Sequence, residues 1–306
     1  MSTLNEAHFH NEAAAYRFVE KRVWPEGPVC PHCGGVDRNK ALKGKSTRLG
    51  VYKCYDCMKP FTVKVGTVFE ASHVKLHIWL QAMFLIASSK KGISSNQLHR
   101  TLGVTLKTAW FMSHRLRLAM STVGMEPMGG EGKVVEVDET YIGRLEGIQK
   151  GVKGNGTKNT VLTLVERGGE ARSFHVEGHR RVDVEGIMKA NIKKETRLMT
   201  DEALQYRALG KEYATHEVVN HTNDEYVRYE GDRVISTNTV EGFYSIFKRG
   251  MKGVYQHCSE RHLHRYLAEF DFRYTNRVAT GVNDEARTSR MVKGIVGKRL
   301  TYQQSH

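Results

Sequence analysis

Lys133-Val-Val-Glu-Val-Asp-Glu139 alternates apolar and polar side chains with a period of two, the pattern of a β-strand with one buried face. Asp138 lies on this otherwise apolar strand, flanked by Val135 and Val137, where a carboxylate is costly unless it is paired or binds a cation. Onward from there, Thr160-Val-Leu-Thr-Leu-Val165 and Ala171-Arg-Ser-Phe-His-Val176 supply two more strands. A helix is expected over 182–194 and a fourth strand at Thr196-Arg-Leu-Met-Thr200. Another helix, a fifth strand at Glu217-Val-Val219, and two long helices near 238–251 and 259–277 complete this half.

Three strands in succession, then helix, strand, helix, strand and helix, is the element order of the ribonuclease H architecture. In that topology the first and fourth strands are neighbours. Asp138 and Asp201, the latter ending Leu198-Met-Thr-Asp-Glu202, would then meet at one edge of the sheet. A third polar ligand is expected from the helix within Ser236-Thr-Asn-Thr-Val-Glu-Gly-Phe-Tyr-Ser-Ile-Phe-Lys-Arg249. Glu241 and Lys248 are seven residues apart and share a helix face, while Asn238, one turn before Glu241, is the other candidate. Such a set suits phosphoryl transfer on DNA. That chemistry uses two hard cations about 4 Å apart, one activating the attacking oxygen and one stabilising the leaving oxygen. Carboxylate oxygens match Mg²⁺, and a lysine beside them can hold a DNA phosphate.

Toward the N-terminus, Cys30-Pro-His-Cys33 and Cys54-Tyr-Asp-Cys57 use four of the chain's five cysteines at metal-ligand spacing. Two such knuckles separated by a hairpin read as a zinc ribbon, each turn aiming two thiolates at a tetrahedral ion. A short helix over 6–22 precedes the ribbon, and Phe61-Thr-Val-Lys-Val65 reads as its third strand. Cys258 has no partner at ligand spacing and reads as structural. Beyond the ribbon the period becomes helical: one helix over 76–88, a second over 94–101, a tight turn at Leu102-Gly103-Val104, and a third helix capped by Thr105. Helix, Gly turn, helix is the helix-turn-helix pattern, and Lys107, His114, Arg115 and Arg117 on the last helix are the kinds of residue that reach phosphates and base edges.

The chain has 306 residues, enough for two or three domains, and carries 47 Lys plus Arg against 33 Asp plus Glu, a net charge of +14. This balance points to a polyanionic partner, nucleic acid before others. A hydrophobic content of 40% excludes a disordered chain, and apolar runs such as 78–88 are too short to span a bilayer. The first residues lack a secretory pattern, so a reducing cytoplasm is expected, which favours zinc over disulfides. The basic, Gly-rich segment 147–158 has no Gly-Lys-Thr or Gly-Lys-Ser, so it supports no P-loop and no ATP requirement; it reads as a DNA-contacting hairpin. His175, His179, His216 and His221 show no metal spacing and read as ordinary strand and loop residues.

Together these residues resemble the ISXO-like insertion-sequence transposases, bacterial DDE enzymes that join a zinc ribbon to a ribonuclease H-like core. The matching segments are the two cysteine knuckles, Val137-Asp-Glu-Thr-Tyr-Ile-Gly143, Thr200-Asp-Glu202 and the helix from Asn238 to Arg249. The resemblance implies a multidomain α/β chain, with an N-terminal helix and zinc ribbon in 1–70 and a helix-turn-helix segment in 71–126. A ribonuclease H-like mixed-sheet catalytic core in 127–280 and a basic tail in 281–306 would follow. It implies Mg²⁺-dependent cleavage of insertion-element ends and 3′-OH strand transfer into target DNA, with two catalytic ions that Mn²⁺ can replace and one structural Zn²⁺. Asp138 and Asp201 take the first two acidic positions, Glu241 or Asn238 the third, and Lys248 and Arg249 lie at the DNA. The implied partners are double-stranded terminal inverted repeats and target DNA, bound by a homodimer or larger assembly at the cytoplasmic nucleoid without membrane or ATP. Two other functions fit the same residues: a catalytically inactive or domesticated DNA-binding regulator, and a ribonuclease H-like nuclease without strand transfer.

Overall fold

The computed structural model describes residues 3–122, 124–149, 151–178 and 180–301, so Lys150, His179 and the end of the expected tail lie outside the described residues. The chain divides into two compact units, one built from the segments up to Ser121 and from Asn283 onward, the other from Thr122–Val282.

In the first unit, α1 (Glu12–Val23) starts at Asn11, whose side chain accepts from the Ala14 N–H. The ribbon is a small antiparallel sheet of β1 (Asn39–Ala41), β2 (Tyr52–Cys54) and β3 (Pro60–Phe61), with Asn39 opposite Cys54 and Tyr52 opposite Phe61. Its third strand is shorter than the sequence pattern suggests. Trp24 packs edge-to-face on Tyr52 and Phe61, which stack on each other, and the three rings surround Cys30 and Cys54, giving the ribbon a core of its own.

Three helices follow: α2 (Leu76–Ser88), α3 (Ser95–Leu102) and α4 (Leu106–Met120). Ser94 caps α3, Gly103 ends it at φ 65° where a side chain would be strained, and Thr105 caps α4. Two helices joined through a Gly turn are therefore present, but the charged residues expected to face DNA divide. Lys107 is exposed in the first turn of α4, whereas His114, Arg115 and Arg117 are 1%, 7% and 2% exposed. Arg115 donates to the carbonyls of Val68, Glu70 and Leu300, and Arg117 donates to the Ser113 hydroxyl. These three side chains belong to the interior. The last turns of α4 are enclosed, and Arg115 satisfies carbonyls of non-helical chain that would otherwise be buried without donors.

The expected tail is also different. Asp284–Lys293 is a helix capped by Asn283 that buries Met291 and Val292, and Arg287 donates from it to the Ala87 carbonyl of α2. Basic residues there alternate with apolar ones at helical spacing, so the segment closes the first unit.

The second unit is built on a five-stranded sheet ordered β6-β5-β4-β7-β8. Its strands are β4 (Val134–Ile142), β5 (Asn159–Glu166), β6 (Ala171–Val176), β7 (Arg197–Asp201) and β8 (Thr215–Val219). β5 pairs antiparallel with β4 and β6, while β7 pairs parallel with β4 and β8. One face, with Val135, Val137, Leu162, Leu164 and Leu198, packs on α5 (Arg181–Asn191) and α6 (Leu204–Leu209). A hairpin of β9 (Val227–Glu230) and β10 (Arg233–Ser236), for which the sequence shows no clear alternation, leads into α7 (Asn238–Gly250). α7 and α8 (Leu263–Thr275) bury Val240, Phe243, Phe247, Leu267 and Phe270 against the opposite face at Val161 and Val165. Among the described residues no helix is long and apolar enough to cross a membrane.

Candidate metal centres and carboxylate site

In the ribbon, the Sγ atoms of Cys30, Cys33, Cys54 and Cys57 all lie within 4.8 Å of one another. Cys30 to Cys57 and Cys33 to Cys54 are each 3.7 Å, far beyond the roughly 2.05 Å of a disulfide. Four sulfurs each about 2.3 Å from a central ion stand about 3.8 Å apart at the edges of a tetrahedron. The knuckles therefore fit one structural Zn²⁺.

The second site grows from the β4–β7 pairing. Val134 lies opposite Arg197 and Glu136 opposite Met199, and the same offset carried two residues further brings Asp138 level with Asp201. Asp138 is on the sheet face that meets α7: the Tyr244 hydroxyl donates to its carbonyl at 2.6 Å and to the Val161 carbonyl at 3.2 Å. Its carboxyl is pushed up to about 8, first by burial and then by the negative charges of Glu139, Asp201 and Glu241. Asp201 is raised as well, mainly by burial, with His221 pulling it back; its Oδ1 accepts from the Ala203 N–H.

Glu241, in the first turn of α7, keeps a side chain 43% exposed. Its Oε1 accepts from the Thr237 hydroxyl at 2.9 Å and lies 3.5 Å from His221 Nε2. Lys248 stands two turns along the same helix, lowered by burial and by Lys252 and Lys158 and drawn back up by Asp138. Carboxylates from three elements and one lysine thus share an electrostatic neighbourhood. Asn238, at the first position of α7, is exposed, and the α7 carboxylate that acts on Asp138 is Glu241's. Arg249 is exposed and folds back onto Ser245 of its own helix.

Three residues at this site escaped the sequence reading. His221, read as an ordinary loop residue, lies beside Glu241 and within 3.3 Å of the Thr237 hydroxyl. Glu202 accepts from the Thr222 hydroxyl and the His221 and Thr222 N–H groups, which holds its carboxyl down at about 2 and ties the His221 turn to the end of β7. Glu139 points to the opposite sheet face, pushed up to about 7 by burial while Gln205 donates to it. The repeated Asp-Glu at 138–139 and 201–202 was a usable signal for both glutamates; His221 had none.

Repulsion among buried carboxylates is relieved by a cation, and an all-oxygen donor set is the kind that Mg²⁺ takes. The donor chemistry of Asp138, Asp201 and Glu241 suits such an ion, although among the described residues only the four cysteines stand close enough together to hold one as they lie.

Residues 129–275 match the model of the ISXO2-like transposase domain, and residues 10–60 match that of the transposase zinc-ribbon domain. The chain is also 27% identical over 282 residues, 87% of its length and 91% of the relative's, to an uncharacterized protein in transposable element ISH50 of Halobacterium salinarum. The four-sulfur ribbon lies within one matched segment and the mixed sheet with its carboxylates within the other. The matches to an ISXO2-like transposase domain and to a transposase zinc-ribbon domain, with the relative from a transposable element, support a transposase role for this chain.

Proposed function

We propose that this transposase cleaves the ends of its insertion element and joins the freed 3′-OH to target DNA at the site formed by Asp138, Asp201 and Glu241. The observation that carries this reading is that carboxylates from β4, β7 and α7 share one electrostatic neighbourhood, in which burial first and then the charges of Glu139, Asp201 and Glu241 raise Asp138 to about 8. Asp138 and Asp201, level on adjacent parallel strands, would hold Mg²⁺ or Mn²⁺ jointly with Glu241; Asn238 is the weaker candidate because a neutral amide holds a hard cation less well than a carboxylate. When bound, the cations supply an activated attacking oxygen and a stabilised leaving oxygen. Lys248 binds a DNA phosphate beside the carboxylates. His221 and Thr237 orient Glu241, and Tyr244 fixes the β4 backbone at Asp138. In the first step water displaces the 3′-oxygen at a phosphodiester, leaving 3′-OH and 5′-phosphate. In the second that 3′-OH displaces the 3′-oxygen of a target phosphodiester, so the number of phosphodiester bonds is conserved and no ATP is consumed.

The first unit would recognise the element ends. With His114, Arg115 and Arg117 turned inward, the outer face of α4 offers Lys107 with the exposed Leu106 and Trp110. Cutting two ends together requires at least a dimer on DNA.

The test is strand transfer by the zinc-loaded chain on DNA from the flanks of its own gene in Mg²⁺, beside Asp201→Asn, Glu241→Gln and Asn238→Ala. Joined products are expected from the wild type and Asn238→Ala and from neither carboxylate variant. End-binding with no cleavage in Mg²⁺ or Mn²⁺ would sink the enzymatic reading in favour of a regulator, and cleavage without joining would favour a nuclease.

A further inference from the structure

α7 begins without a cap of its own. Thr237 holds its N-cap position, yet the Thr237 hydroxyl donates to Glu241 Oε1 instead of accepting from the first turn. The first-turn N–H groups of Thr239 and Val240 donate to Glu136 Oε2 on β4, at 2.8 and 2.9 Å, and the Thr239 hydroxyl donates to Oε1 at 2.7 Å. Glu136 is 0% exposed. Its charge is met by Arg167 Nε at 2.6 Å and by the positive end of the α7 dipole. The same guanidinium donates to the carbonyls of Val234 and Ser236 and to the Ser236 hydroxyl, at 2.6, 2.9 and 3.0 Å. Residues 234–240, the passage from β10 into α7, are thus clamped to β4.

A buried ion pair is a poor source of stability in itself, since desolvation offsets much of the attraction. What this one holds in place is more informative. Glu136 and Asp138 are alternate residues on one face of β4, about 7 Å apart along the strand. The first fixes the start of α7; the second faces the Glu241 and Lys248 that α7 carries. Because Glu136 takes the first-turn N–H groups, the Thr237 hydroxyl is released to orient Glu241.

We infer that Glu136 and Arg167 are positioning residues, which fix the start of α7 and so hold Glu241 on the side of the sheet where Asp138 and Asp201 would share a divalent cation with it. The inference rests on the carboxylate reading above. It says that one strand carries both a ligand and the anchor for the helix bearing another.

Groups that orient metal ligands are commonly worth about 10–100-fold in metal affinity. The test is calorimetric titration of Mn²⁺ into the zinc-loaded full chain and into Asp201→Asn, Arg167→Lys and Glu136→Gln. Binding by the wild type and its loss in Asp201→Asn establish the site. Binding at least about tenfold weaker is then expected in Arg167→Lys and Glu136→Gln, with a cooperative thermal transition retained and metal-free affinity for DNA ends within about twofold of wild type. Should Glu136→Gln fail to fold, the partly exposed Arg167→Lys decides alone. Wild-type Mn²⁺ affinity in the folded variants would overturn the inference and leave the carboxylate site standing. No Mn²⁺ binding by the wild type would overturn both.

Discussion

Replacing Asp138 by Asn should stabilise the metal-free protein while abolishing cleavage. Burial and three neighbouring carboxylates raise Asp138 from 3.8 to about 8. The folded chain therefore holds this proton more tightly than the unfolded chain. Its contribution to stability is complete below about 3.8 and is lost as the pH rises through about 8. At about 1.4 kcal/mol per pH unit, the loss by pH 7 amounts to as much as roughly 4 kcal/mol. Asn keeps an oxygen that can accept from the Glu139 N–H, as Asp138 Oδ1 does at 2.7 Å, and it carries no charge. With about 2–4 °C of melting temperature per kcal/mol in domains of 150–250 residues, Asp138→Asn should melt several degrees above wild type at pH 8. The gap should close toward pH 4 and narrow when Mn²⁺ is added to the wild type. All three tryptophans, Trp24, Trp79 and Trp110, lie in the first unit, so their fluorescence cannot report this transition. Calorimetry, or hydrogen exchange on β4 and β7, can. A metal-free Asp138→Asn protein that melts at or below wild type at pH 8 would refute the argument that burial and neighbouring charge hold the Asp138 proton.

Asp271 provides a control without a ligand role. It accepts from the Ser173 N–H and hydroxyl, and burial raises it to about 7. Its share of stability should likewise fall as pH climbs from about 4 to 7, Asp271→Asn should flatten that fall, and divalent cations should leave it unchanged, as pH-dependent melting would show. Chelating the zinc, or Cys54→Ser, should unfold the ribbon core around Trp24 and shift tryptophan emission, while the calorimetric transition of the sheet unit persists; loss of both transitions together would contradict independent units. Arg115→Leu should cost about 2–4 kcal/mol by leaving carbonyls of Val68, Glu70 and Leu300 without a donor, visible in denaturant melts. Lys107→Ala should leave the melt unchanged, weaken DNA binding and reduce the salt slope by about one.

Local patterns made much of the fold legible. The alternation in β4 to β6, the caps at Ser94 and Thr105, and the Gly103 turn are written in residues within a few positions of where they act. The knuckle cysteines are equally local, because two thiolates on one short turn already define half of a tetrahedral site. Asp138, Asp201, Glu241 and Lys248 could be nominated by element order and helical spacing, although what they do chemically is the proposal made above.

Charge, by contrast, says nothing about direction. Lys107 and Arg115 look alike in a basic helix, and only packing shows that one is exposed while the other binds backbone carbonyls in the interior. The Asp284–Lys293 helix read as a tail because the partner that buries it, α2, is some two hundred residues away in the chain. His221 and Glu136 belong to the same class. The local sequence determined which residues could form strands, turns, caps and thiolate knuckles, since those depend on neighbours a few bonds away. Which carboxylates come together at the end of β4, which one caps α7, and which arginines stay inside were decided only when distant segments closed on one another, because burial and hydrogen-bond partners are properties of the packed chain.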